Sequence, residues 1–263
     1  MNHRRVVYTA IFGGSDRLHE PAVVEPGCDY VCFTDDLALK SAVWDIRRPH
    51  MPFADSRRNA RMLKILAHRH FADYEYSIWL DGTFTLLCPP GELIERYLDE
   101  DDFAAFKHPR RNCLYDEALA CIQMGKDDPL VLFGQARAYM SDGYPPDNGL
   151  IYSGIVLRRH SPLVAETCEL WWQELVRHSK RDQVSFNYVD WKTGLTYAPL
   201  AGSWRVNPHA TYSRHLDDQS PARGARLPNV RRRAIALALQ VTIARYKACP
   251  KTPAASLQHN LQL

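Results

Sequence analysis

Short runs of β-branched and aromatic residues alternate along the chain with longer stretches of helical spacing. Residues 6–12 form a strand-like run closed by Gly13-Gly14, and residues 30–33 form a second, closed by Thr34-Asp35-Asp36. Residues 76–80 read as a buried strand ending at Asp81-Gly82; 103–106 and 154–157 read as two more. Between them, Met62, Leu63, Leu66 and Ala67 recur near helical spacing, which predicts a helix over 56–71 with Ser56 as its N-cap. Helices are also expected over 115–124, 129–140 and 162–178, the last with Pro162 in its first turn. Ser141 to Gly149 is a loop rich in Gly, Pro and Asp. Strands alternating with helices in this way predict an α/β domain with a mostly parallel sheet flanked by helices.

Toward the C-terminus the pattern becomes ambiguous. Ile235, Leu237, Leu239, Val241 and Ile243 alternate as in a strand, while the alanines between them favour a helix over 234–246. Charge sets this region apart. Residues 221–263 hold eight basic residues and no acidic one, leaving 25 of the 33 basic residues with all 30 acidic ones in the body. The expected organisation is a catalytic-type domain over 1–216 and a basic, partly helical tail over 217–263. A basic tail suits an anionic partner, such as lipid headgroups at a membrane surface, or is simply a solvated tail. No run of 18 apolar residues exists, so no transmembrane helix is expected. The first residues lack the apolar core of a signal peptide. Seven cysteines without CxxC spacing read as reduced thiols. The expected location is therefore bacterial cytosol or its membrane face, and nucleic acid is not among the expected partners.

Open α/β sheets bind ligands beyond the carboxyl ends of their strands, so the residues just past each strand are the first candidates. Gly13, Gly14 and Asp16 come after the first, Asp35 and Asp36 after the second, Asp81 after the third and His108 after the fourth. Carboxylates in such places accept hydrogen bonds from hydroxyls or hold a divalent ion beside a diphosphate. The bland alternative for each is a turn residue; an aspartate before glycine also caps a turn. GxGxxG and GxxxxGK[ST] are both absent, which argues against dinucleotide and P-loop enzymes. Arg61 and Lys64 lie three apart on one predicted helix face, beside Arg57 and Arg58, and two cations there can offset a diphosphate. Asp116 and Glu117 suit the first turn of a helix, and Asp182 can cap another, so helix electrostatics alone accounts for them. His209 and His215 can reach a metal or a diphosphate, or serve as ordinary hydrogen-bonded residues.

In order along the chain come Tyr8-Thr9-Ala10-Ile11-Phe12-Gly13-Gly14-Ser15-Asp16, Cys32-Phe33-Thr34-Asp35-Asp36, Arg58-Asn59 through Lys64, Ser77-Ile78-Trp79-Leu80-Asp81-Gly82, His108-Pro109 with Cys113, Tyr115 and Glu117, and Arg181-Asp182-Gln183-Val184-Ser185-Phe186. In these segments the chain resembles the glycosyltransferase-like domain shared by bacterial proteins and by plant mucilage-related and pollen-turgor-related proteins, over roughly residues 6 to 200.

That resemblance implies a GT-A-like fold and a hexosyltransferase-type enzyme. It implies a nucleoside-diphosphate sugar as donor (UDP being one candidate base), a glycan or lipid-linked acceptor, and retention at the anomeric carbon. It places Thr9, Ala10, Gly13, Asp16 and Asp35 near the nucleoside, and Arg58, Lys64, His108 and Glu117 around the rest of the donor. Asp182-Gln183 matches the pair that lines the donor sugar, Asp182 toward its hydroxyls and Gln183 toward the anomeric carbon. Asp81 is the counterpart of the DxD metal motif for Mn or Mg, with His209 as a further ligand. Here the sequence departs from the pattern: Asp81-Gly82-Thr83 carries one carboxylate where DxD carries two. Two rivals arise from that loss, a non-catalytic carbohydrate- or nucleotide-binding module and a nucleotidyltransferase; the latter wants a clearer carboxylate pair.

Overall fold

The computed structural model describes residues 4–214 and 229–249. In chain order the elements are β1 (Arg5–Ile11), β2 (Cys28–Thr34), β3 (Asp45–Arg47), α1 (Ser56–Ile65), α2 (Ala67–His70), β4 (Tyr76–Leu80), β5 (Phe84–Leu86), α3 (Pro90–Tyr97) and β6 (Phe103–Lys107). They continue with α4 (Leu114–Met124), α5 (Pro129–Ser141), β7 (Ile151–Arg159), α6 (Pro162–Arg177), α7 (Asp182–Thr193), β8 (Ala198–Pro199), β9 (Ala210–Tyr212) and α8 (Asn229–Ala248).

Seven strands form one sheet in the order β3-β2-β1-β4-β7-β6-β8, and β5 pairs with β9 in a separate ribbon. Strands β3, β2, β1 and β4 run parallel, and β7 is antiparallel to both neighbours. This is the mixed, mostly parallel, helix-flanked sheet expected of a GT-A-like domain. A strand covered on both faces must be apolar throughout, and Val6, Val7, Tyr8, Ala10 and Ile11 of β1 are all buried. Tyr8 and Ala10 face a core with Leu63, Cys121, Trp171 and Leu175 from the helices. Val7 and Ile11 face a second core with Leu80, Leu93 and Leu157.

Two features of the 56–71 helix differ from expectation. Asp55, not Ser56, caps it, its carboxylate accepting the Arg57 N–H at 3.0 Å. The helix also breaks at Leu66, whose backbone leaves the helical region before α2 begins. Strand β7 extends beyond the expected 154–157 at both ends, because Ile151 and Arg158 pair with β6. The short elements β3, β5, β8 and β9 and the helix α3 carry too few periodic positions to stand out in the sequence.

The tail conflict resolves as a helix. Leu239 and Ile243 turn inward with Ala236 and Tyr246, while Leu237 and Val241 turn outward. Helix α8 lies on α4 and α5. The Tyr246 hydroxyl donates to the Tyr144 carbonyl at 3.0 Å, and Lys247 Nζ lies 3.0 Å from a carboxylate oxygen of both Asp116 and Asp147. This part of the tail is docked on the domain, not free of it. His215 and residues 215–228 and 250–263 lie outside the described residues. Among the described residues no helix is long and apolar enough to cross a membrane.

Candidate active site

The carboxyl edge of the sheet gathers the predicted chemistry from four elements. Asp81 leaves the end of β4, Arg61 and Lys64 come from α1, Ser153 from β7, and Asp182 opens α7. Lys64 is fully buried beneath them. Its ammonium donates to Asp182 Oδ2 at 2.7 Å and Ser153 Oγ at 3.0 Å, with Asp81 Oδ1 at 3.4 Å. Arg61 Nε lies 3.2 Å from Asp182 Oδ1, so both oxygens of Asp182 face cations. Ser153 Oγ adds a bond to Asp182 Oδ2 at 2.8 Å. Burial by itself raises the Asp182 carboxyl, but Arg61, Lys64 and Arg181 outweigh it and hold the group far below the usual carboxylate range. Burial likewise pushes the Lys64 ammonium down, and Asp182 and Asp81 pull it back. The Asp182 carboxyl is ionised at neutral pH.

Asp81 Oδ1 accepts the Trp79 indole N–H at 2.7 Å, and Arg61 lies 3.9 Å away. Trp79 and Asp81 are two apart on an extended strand, so they point to the same face. Of this group only Arg61 and Asp81 retain exposure, 21% and 20% of their side chains, against 0% for Lys64 and 2% for Asp182. An incoming ligand therefore meets Arg61 and Asp81, while Lys64 and Asp182 hold them from below. Lys64 and Asp182, both expected to line the donor, are here turned toward each other and closed from the surface. Gln183, beside it on α7, donates from Nε2 to the Ile151 carbonyl at 3.3 Å and accepts from Arg181 at 3.4 Å.

The end of β1 approaches this group closely. Gly13 and Gly14 both adopt positive φ, near +65° and +63°, which side chains disfavour. Asp35 at the end of β2 clamps this turn, accepting the Gly13 N–H with both oxygens at 3.0 Å. Asp16 rests against Gly82: a Cβ at 82 would lie 3.0 Å from the Asp16 Cβ. Glycine at 82 thus lets the β1 loop reach the Asp81 turn. Thr9 and Ala10 are buried within β1, and Thr9 Oγ1 has no hydrogen-bond partner among the described residues.

Four predicted residues lie elsewhere. Arg58, a turn before Arg61, sits over the Phe53 ring at 5.8 Å instead of facing the carboxylates. His108 and Glu117 form their own cluster, in which Arg111 Nε donates to Glu117 Oε2 at 2.6 Å and His108 Nε2 lies 3.8 Å from the same oxygen. The Arg111 amide donates to His108 Nδ1 at 3.0 Å, and burial lowers His108 to about 4, so it is neutral near pH 7. His209 is buried and shares a 2.8 Å hydrogen bond with the Tyr97 hydroxyl. It lies beyond the Leu86–Ala210 end of the β5–β9 ribbon, whereas Asp81 lies before the Phe84–Tyr212 end, so the structure does not bring the two together.

A DxD-type metal site is a poor fit to these residues. One oxygen of its single carboxylate already takes an indole N–H, with an ammonium beside it. Among the described residues, the cluster with metal-ligand spacing is Cys113, Asp116 and Asp147, where Lys247 bridges the two carboxylates. Ser153 and the indole of Trp79 are the members of the group that sequence reading missed. The spacing of Trp79 and Asp81 was a usable signal, whereas nothing local marks Ser153.

The family match over residues 1–201 gives the class, a glycosyltransferase-like domain, on this α/β fold. The chain belongs to the TOD1/MUCI70 family, whose glycosyltransferase-like domain matches residues 1–201. It is 32% identical over 161 residues to the probable hexosyltransferase MUCI70 of Arabidopsis thaliana, a match covering 57% of this chain and 28% of that protein. It is 28% identical over 220 residues to the alkaline ceramidase TOD1 of the same plant, covering 70% of this chain and 47% of that one. The matches thus span less than half the length of these curated relatives, which are plant proteins and lend no support to a bacterial setting. Similar solved structures include mouse xyloside xylosyltransferase 1, with TM-score 0.41 and 13% identity, covering 75% of this chain and 84% of that one. The bifunctional glycosyltransferase WbbM has TM-score 0.38 and 12% identity, covering 71% of this chain and 37% of that one.

Proposed function

We propose that this chain transfers a hexosyl group from a nucleoside-diphosphate sugar to a hydroxyl of a glycan or lipid-linked acceptor. The observation that carries this reading is the two-tier group at the sheet edge: partly exposed Arg61 and Asp81, held by the buried Lys64–Asp182 pair. Diphosphate oxygens spread their charge over several acceptors, which a guanidinium's fork of donors matches. Arg61 is the cation placed to receive them, and its Nε–Asp182 contact fixes its direction. Asp81 accepts a donor hydroxyl with the oxygen that Trp79 does not engage. The nucleoside lies along the Gly13-Gly14 turn, where bare backbone permits close approach. Gln183 follows Asp182 on α7, its amide held by the Ile151 carbonyl and Arg181, and in this reading that fixed dipole acts on the reacting carbon from beneath the exposed tier. Fixed dipoles of this kind stabilise the positive charge that develops as the leaving diphosphate departs. Offset of charge by Arg61 and the buried lysine is the basis proposed for transfer, and no step requires a divalent ion. A cytoplasmic location is part of the same proposal.

The test is a thermal-shift series with UDP, GDP, CDP and their sugars, each with Mn²⁺, Mg²⁺ or EDTA. Ligand at a hundred times its dissociation constant raises stability by about 2.7 kcal/mol. A shift with one nucleotide class that persists in EDTA is the expected result. No shift with any of them contradicts the reading, and hydrolysis of a ceramide amide by the pure chain would favour the chemistry of the relative named as a ceramidase.

A further inference from the structure

Helix α8 has two apolar faces, and among the described residues only one is covered. Ala236, Leu239, Ile243 and Tyr246 are buried on the domain. On the opposite side Val230, Ala234, Leu237, Val241, Ala244 and Ala248 are all exposed, Val230 at 78%, Leu237 at 62% and Val241 at 44%. Their spacing is four, three, four, three, four, which is the a/d seam of a heptad repeat. In that register Ala234, Val241 and Ala248 take a, and Val230, Leu237 and Ala244 take d. The flanking e and g positions are then Arg231, Arg233, Ala238, Gln240, Arg245 and Lys247. Four of these six are cationic, and the whole helix contains no acidic residue.

Charges at e and g choose the partner of a heptad seam. An antiparallel second copy of α8 would set Arg231 against Arg245 and Arg233 against Lys247, and a parallel copy would offer no acid to any of its cations, so neither orientation favours self-pairing. A lipid surface selects bulky apolar and aromatic residues, whereas this seam is mostly alanine and valine, with one leucine and no aromatic. Small residues instead let another helix backbone come close. We infer that the outer face of α8 is a docking seam for an acidic amphipathic helix of a partner protein, packed in heptad register with Glu or Asp opposite Arg231, Arg233 and Arg245. The domain side presets the seam: Lys247 reaches Asp116 and Asp147, and Tyr246 reaches Tyr144, so the helix is ordered before a partner arrives. This inference is independent of the proposed transfer chemistry.

The test uses the full chain and two fluorescent synthetic peptides of three heptads, both with leucine at a and d, one with glutamate and one with lysine at e and g. In anisotropy titrations the glutamate peptide is expected to bind at least about tenfold more tightly than the lysine peptide, a gap near 1.4 kcal/mol. The preference should shrink with salt. The exposed substitutions Arg231→Glu, Arg233→Glu and Arg245→Glu, made together, are expected to reverse it, and Leu237→Asp to abolish binding of either peptide, with melting temperature unchanged in both variants. Equal affinity for the two peptides, or no binding of the glutamate peptide, overturns the inference. So does a wild-type dimer in sedimentation equilibrium that Leu237→Asp dissolves, since the occupant would be a second copy. Flotation with phosphatidylserine vesicles that Leu237→Asp abolishes, without peptide binding, overturns it in favour of a membrane.

Discussion

Replacing Asp182 by asparagine removes the charge at the centre of the two-tier group while keeping its shape. Asp182 is 2% exposed and faces the Lys64 ammonium at 2.7 Å and the Arg61 guanidinium at 3.2 Å. The substitution leaves a buried ammonium without its main counter-charge. Breaking a buried pair from one side costs about 3–5 kcal/mol. At about 2–4 °C per kcal/mol for a domain near this size, the melting temperature should fall by roughly 6–20 °C. The pH dependence gives a second signature. Asp182 titrates far lower in the fold than its usual value, so its stabilisation is complete above the unfolded pKa of about 3.9 and is lost as pH falls below it. Urea unfolding followed by circular dichroism from pH 7 to pH 3 reads both effects. Wild type should lose stability through this acid range, and Asp182→Asn should lack that part of the slope. The pair Lys64→Met with Asp182→Leu, which replaces both charges by apolar groups, should recover most of the loss. An Asp182→Asn protein within about 1 kcal/mol of wild type and with an unchanged acid slope refutes the assigned role.

Three further outcomes are expected. Arg61→Ala should weaken binding of the preferred nucleoside diphosphate about 10- to 100-fold, the worth of one or two charge-assisted bonds, and Arg58→Ala much less; isothermal titration measures both. Asp190 is buried with Asn187 as its side-chain partner, and burial raises it to about 8. A raised carboxyl costs stability as pH climbs from its unfolded value toward 8, so Asp190→Asn should melt higher than wild type at pH 8 and no higher at pH 4. His108 should titrate near 4 by NMR; because its folded value lies below its unfolded one, stability should fall as pH drops from about 6.5 toward 4, and less so in His108→Gln.

The parts of the fold legible in the sequence were those with long apolar periods. Strands β1 and β4 and helices α4, α5 and α6 emerged within two residues of their observed bounds, because burial on one or both faces imposes pattern. The α8 region was read as a helix against an alternating apolar pattern; the conflict arose because the helix carries apolar residues on two faces, which erases the amphipathic period. At the site, Asp81, Lys64 and Asp182 were legible as polar residues at strand and helix ends. Their division into an exposed and a buried tier was not, because it depends on β7 returning antiparallel to bring Ser153 beside them. Arg58 and Arg61 are equivalent as composition; only helical phase, set by the Asp55 cap, turns one toward Asp182 and the other onto Phe53. His209 was attractive as a metal ligand by residue type alone, and its Tyr97 bond spans 112 residues, beyond any local signal.

The most direct measurement of the central claim is donor turnover by the pure full chain: release of free hexose, or its transfer to an added sugar alcohol, from each nucleoside-diphosphate hexose in EDTA. Turnover of one donor class is expected, lost in both Arg61→Ala and Gln183→Ala while the fold persists. Absence of turnover with every donor, or turnover undiminished in both variants, would contradict the claim that this sheet edge is a sugar-transfer site.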